Sequence, residues 1–141
     1  MSGAYTIDLE RSLVRSRGWG VLTDRELLAH ARALTRDPHF APNYRQLADL
    51  REVTDVQITA ATIKEMVRLN PFWAGARRAL VITNDVLFGM ARMYQILKDE
   101  SPDELQIFRN MEDALQWLGL ADAKAEELSA LSQAPPIPRL D

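Results

Sequence analysis

Cysteine is absent from all 141 residues. That excludes disulfides, thiol nucleophiles, cysteine-ligated zinc and iron–sulfur centres. Histidine is nearly as scarce. The two present, His30 and His39, have no acidic pair at ligand spacing around them, so they read as a helix-surface and a loop imidazole, not as metal ligands. Long apolar runs are also lacking; a stretch such as Ala79-Leu80-Val81-Ile82 is far short of a membrane span. Charge of one sign is missing too. Seventeen basic and twenty acidic residues leave a net charge of −3, with no general attraction for nucleic acid. The first eight residues have neither a basic start nor an apolar stretch, so no secretion signal is expected, and a cytoplasmic location is.

Catalytic signatures are equally thin. There is no Gly-x-Ser-x-Gly elbow and no Ser-x-x-Lys, and Ser12, Ser16, Ser101, Ser129 and Ser132 stand where hairpins, caps and tails ordinarily place serine. Gly18-Trp19-Gly20 is a lone Gly-x-Gly without the rest of a phosphate cradle, and reads as a strand end with a bend. Asp49, Glu52 and Asp55 cluster after a strand, but Arg51 lies among them, as in an ordinary charged turn. No metal, no cofactor and no enzymatic activity are expected.

What is present is a pattern of elements, and 47% hydrophobic residues in 141 suffice for one core. Tyr5, Ile7 and Leu9 alternate with polar neighbours, and a second extended stretch runs from about Leu13 to Val21, so Arg11-Ser12 turns an antiparallel hairpin. Thr23-Asp24-Arg25-Glu26 is a capping box before a helix that buries Leu27, Leu28, Ala31 and Leu34 and stops at Asp37-Pro38. A third strand spans Tyr44 to Leu50. A second helix covers roughly Thr59 to Leu69, with Ile63, Met66 and Val67 inward. Ala79 to Thr83 reads as a strand covered on both sides. Asn84 or Asp85 then caps a helix carrying Val86, Met90, Met93, Tyr94 and Leu97. Leu105 to Phe108 is a fifth strand, and Asn110 caps a helix burying Met111, Ala114, Leu115 and Leu118. The order ββαβαβαβα predicts an α/β sandwich: a mixed, mainly parallel five-stranded sheet with about four helices.

One loop carries a surface question. Leu69-Asn70-Pro71-Phe72-Trp73 puts two large aromatics in a proline-containing connection. Either Phe72 and Trp73 fold back as a satellite core, or they anchor a partner, an apolar ligand or a membrane surface. Phe88, Met90 and Met93 on the third helix would extend the same adaptable surface, or belong to an ordinary core helix.

Several phrases resemble the SpoIIAA-like branch of the STAS superfamily (sulfate transporter and anti-sigma-factor antagonist). They are the hairpin from Tyr5-Thr6-Ile7-Asp8 to Val14, the strand Leu47-Ala48-Asp49-Leu50 running into Val53-Thr54-Asp55, and the buried strand Ala79-Leu80-Val81-Ile82. The run from Ile107-Phe108-Arg109-Asn110 to Gln116-Trp117-Leu118 completes the set. The resemblance covers about residues 4 to 120. It implies a SpoIIAA-like domain over 1–120, followed by a C-terminal extension over 121–141 that ends in a proline-rich tail. In the antagonists of this family, a strand ending Leu-Asp-Leu leads to Asp-Ser-Ser-Gly at a helix start, whose second serine is phosphorylated by a partner kinase. That motif falls here on Gln57-Ile58-Thr59-Ala60, so the resemblance makes Thr59 the matching hydroxyl, with Gln57 in place of the acid and Ala60 in place of the glycine. As a hydroxyl at a helix start, Thr59 is also sufficiently explained as a cap.

The resemblance implies a non-enzymatic regulatory or protein-interaction module whose partner is another protein. Some relatives are grouped with CRAL-TRIO lipid-transfer domains, which implies the alternative of an apolar-ligand carrier or peripheral membrane binder using Phe72, Trp73 and the third helix. A homodimer is a further expectation, from exposed sheet edges and Trp19.

Overall fold

A computed structural model describes residues 3–120; the extension expected over 121–141 lies outside the described residues. The chain runs β1 (Gly3–Asp8), β2 (Leu13–Thr23), α1 (Asp24–Arg36), β3 (Arg45–Gln57), α2 (Ala60–Leu69), β4 (Arg77–Val81), α3 (Asp85–Leu97), β5 (Glu104–Phe108) and α4 (Met111–Trp117). The five strands lie side by side in chain order, β1 antiparallel to β2 and the rest parallel. Each parallel connection therefore steps the same way, and right-handed crossovers place α1, α2 and α3 together on one face. Alternation along the strands then sorts the side chains. Leu13, Leu47, Ala79 and Val81 face α4 and pack on Met111, Ala114, Leu115 and Leu118. Leu22, Val53 and Ile82 meet α3 through Leu87 and Ala91, while Ile63 of α2 packs on Tyr94 and Leu105.

Local chemistry starts and stops these elements as the residue types dictate. Thr23, Thr59, Asn84 and Asn110 each accept a backbone N–H of the first turn of the helix that follows. In the first box the Thr23 hydroxyl donates to the Glu26 carboxylate. Gly119, at φ 76°, ends α4: Leu120 N–H donates to Leu115 O and Gly119 N–H to Gln116 O, the paired bonds of a left-handed cap.

Three expectations are corrected. The hairpin turn spans residues 9–12, with Ser12 at φ 52°, so Leu9 is exposed in the turn and not part of β1. Asp8 holds that turn by accepting Arg11 N–H and its guanidinium. β3 does not close at Leu50 but continues to Gln57, because β2 pairs with it from Leu13↔Arg45 to Thr23↔Gln57 with two irregular steps in register. Gly20, at φ 65°, sits at the second of them. On α3 Tyr94 is buried and Met90 and Met93 pack inward as expected, but Val86 and Leu97 are exposed, and Leu87 and Ala91 are buried instead.

Candidate functional site: a cavity with one polar end

Between the sheet and its three helices the packing is incomplete, leaving a cavity of about 140 Å³. Register explains its character. Three rows of side chains cross the sheet on this face: Val14, Gln46, Arg78 and Leu105; then Ser16, Ala48, Leu80 and Ile107; then Leu50 and Ile82 toward the strands' carboxyl ends. Small residues on both sides, Ala48 on β3, Ala31 on α1 and Ala91 on α3, leave the room. Toward the carboxyl ends the wall is apolar, with Leu22, Ile58, Ile82, Leu87 and Met90, and Glu26 and Arg17 stand at its edge.

At the amino end of the strands the lining is polar. The Arg78 Nε donates to Gln46 Oε1 (3.0 Å), and its Nη1 reaches Tyr94 OH (2.9 Å), Asp103 Oδ2 (3.1 Å) and Asn70 Oδ1 (3.3 Å). Arginine only donates, so this contact fixes the Gln46 amide, whose Nε2 donates to Ser16 Oγ at 3.1 Å. Ser16 Oγ is in turn hydrogen-bonded to His30 Nε2, 2.8 Å away, so the polar chain runs from Arg78 through Gln46 and Ser16 to His30. Burial, and secondarily the Arg78 charge, push its pKa down to about 4, so it is neutral at physiological pH.

Behind Arg78 lies an ion cluster removed from water. Asp103 faces Arg78 at 3.1 Å and Lys98 at 3.4 Å, and all three residues are buried. Lys98 Nζ also donates to Asp103 O, and Asn70 Nδ2 to Asp103 Oδ1. Burial works against the Arg78 charge, but Tyr94 and Asp103 outweigh it and hold the pKa above the ordinary arginine value. The guanidinium lies 4.5 Å over the Phe72 ring, which in turn meets Phe40 edge-on at 5.3 Å.

The residues singled out from sequence are thus divided. Phe72 is buried and Met90 half-buried, and both line the cavity, whereas Trp73 is 65% exposed, so the two loop aromatics do not act as one surface. Met93 packs into the seam between α2 and α3. Phe88 lies under Arg109, 4.0 Å from its guanidinium, beside the cluster of Leu22 and Val53. Thr59 caps α2, and both its N–H and its hydroxyl donate to Asp24. A phosphate there would stand against the Asp24 carboxylate. Asp49 and Asp55 do not converge on a site: Asp49 is held by Arg51, and Asp55 is exposed and accepts Val56 N–H.

His39 is an exposed loop imidazole and Ser12 lies in the hairpin turn, as expected, but the expectation for His30 is overturned. His30 is no helix-surface imidazole; it faces inward at the spacing that joins Leu27 to Leu34, and Ser16 is its partner beneath the helix. Sequence carried a trace of this, since Gln46 stands two residues before Ala48, and Arg78 two before Leu80, and so each occupies an inward position of an otherwise apolar strand face. Among the described residues, no group of three or more His, Asp or Glu could hold a metal ion, and no helix is long and apolar enough to cross a membrane.

No protein-family model matches the chain, and the search of curated proteins returns no match. Among solved structures, it is similar to an uncharacterised protein of the DUF3478 family with a SpoIIAA-like fold from Shewanella loihica PV-4. The two are 20% identical, with a TM-score of 0.53 over 83% of this chain and 94% of that one. At that identity the likeness speaks for architecture alone, and together with the five-stranded mixed sheet and its four helices it establishes that the chain has a SpoIIAA-like fold.

Proposed function

We propose that this chain is a non-catalytic module that binds a small, largely apolar molecule between its sheet and the three helices. The observation that carries the reading is the 140 Å³ cavity, apolar along most of its wall and polar at one end. A dry cavity of about 150 Å³ is known to accept one benzene ring, which sets the scale of the ligand's buried part. Binding without bond-breaking is supported by the state of the Ser16–His30 pair. An imidazole whose pKa is about 4 is a weak base, and among the described residues no hydrogen bond orients its Nδ1, the support a serine–histidine nucleophile needs.

Native mass spectrometry on protein purified without denaturation tests the reading: a bound apolar molecule of low mass is expected, displaced on adding benzene derivatives. Protein that emerges bare and shifts no resonance of a cavity residue with any such probe contradicts it. Hydrolysis of p-nitrophenyl esters that disappears in both Ser16→Ala and His30→Gln would overturn the non-catalytic part.

A regulatory role through another protein is supported by a separate observation. Trp73, Val86 and Ile96 are large apolar residues exposed by about two thirds each (65%, 64% and 67%). The loop from Asn70 to Trp73 joins the cavity wall at Phe72 to exposed Trp73 and so links the two.

A further inference from the structure

Resting on the reading of the cavity as a ligand site, we infer that its polar end receives a monoanion, and that the ligand class is an apolar carboxylic acid bound as its carboxylate through Arg78. Charge balance is the first argument. Arg78, Lys98 and Asp103 are each at least nine-tenths buried, and two cations face one carboxylate, a surplus of one positive charge in a place where unpaired charge is costly. The neighbouring titratable groups do not remove it. His30 on α1 is neutral, the Tyr94 hydroxyl on α3 accepts from Arg78 Nη1, and Asp37, after α1, is engaged by the Tyr5 hydroxyl and His39. Glu26 stands at the opposite, carboxyl end of the strands, on the first turn of α1.

Valence is the second argument. Arg78 has spent Nε on Gln46, and Nη1 carries three acceptors. Among the described residues Nη2 has no hydrogen-bond partner, and Arg78 lines the cavity. A guanidinium with one donor edge left over, backed by a second cation, suits a carboxylate oxygen. A singly charged head balances the surplus, whereas a doubly charged phosphate would replace it by an equal surplus of the other sign. Phe72 over the guanidinium and the apolar wall beyond then take the hydrocarbon part.

The test compares two probes with the same skeleton, phenylacetate and 2-phenylethanol, by NMR or calorimetric titration at pH 7.5 with wild-type protein and with Lys98→Met. That variant removes the surplus cation and leaves the Arg78–Asp103 pair in place. Wild type is expected to favour the acid over the alcohol by at least tenfold, and Lys98→Met to lose that preference while keeping its affinity for the alcohol. An alcohol that binds wild type as well as the acid overturns the anion inference and leaves the cavity reading standing. Neither probe binding overturns both. An acid preference unchanged in Lys98→Met refutes the charge-surplus argument; should that variant not fold, the wild-type comparison decides alone.

Discussion

Filling the apolar end of the cavity from the helix side should stabilise the free protein and abolish binding, and the sign of the first effect is the decisive part. Ala91 lies on α3, buried, among Leu22, Val53, Ile82 and Leu87. Ala91→Leu adds three carbon atoms, at most about 2.4 kcal/mol at ~0.8 each. The unfolded chain already buries some of that surface, which brings the expected gain to about 1.5–2 kcal/mol. Alanine and leucine are both strong helix formers, so backbone preference contributes little. Urea denaturation of ligand-free protein should show a higher midpoint with an unchanged slope, and the thermal midpoint should rise by roughly 5–10 °C. Were this face close-packed, the same substitution would overpack it and cost about 1–3 kcal/mol. A lowered midpoint would therefore refute the cavity.

His30 predicts a pH dependence. Its folded pKa of about 4 lies below the ordinary 6.5, so the unfolded chain binds the extra proton first; its contribution is complete above pH 6.5 and is lost as pH falls toward 4. Between pH 6.5 and 5, urea-derived stability should drop by about 2 kcal/mol in wild type, and His30→Gln should flatten that drop. Asp103→Asn leaves Arg78 and Lys98 without their shared carboxylate and should cost about 3–5 kcal/mol in chemical denaturation; a loss under 1 kcal/mol would show that the cluster is hydrated. The two loop aromatics should separate cleanly: Phe72→Ala costs about 3–5 kcal/mol, because the ring is buried under Arg78 and against Phe40, and Trp73→Ala stays within about 0.5 kcal/mol. Equal losses would mean that Trp73 is packed after all.

Much of the architecture was legible in local chemistry. The four caps, Thr23, Thr59, Asn84 and Asn110, announce the helices because a short side-chain oxygen before an apolar period has few other uses. The second half of β3 was not legible. Arg51, Glu52 and Asp55 offer no apolar alternation, the two acids are poor strand formers, and pairing with β2 holds this stretch extended. The site was harder still. Thr59, Phe72 and Trp73 are conspicuous in one dimension. Ser16, His30, Gln46 and Arg78 come from four elements, and become a network only when the parallel register sets Val14, Gln46 and Arg78 in one row. The cavity itself had no linear signal, since Ala31, Ala48 and Ala91 are unremarkable alanines until three helices meet over them.

The most direct test of the central claim is a crystal of the ligand-free protein pressurised with xenon. A strong anomalous peak is expected between α1, α2, α3 and the sheet, in contact with Leu22, Ile58, Ile82 and Leu87. Crystals that take up xenon elsewhere, or nowhere, while those side chains fill the space would contradict the account.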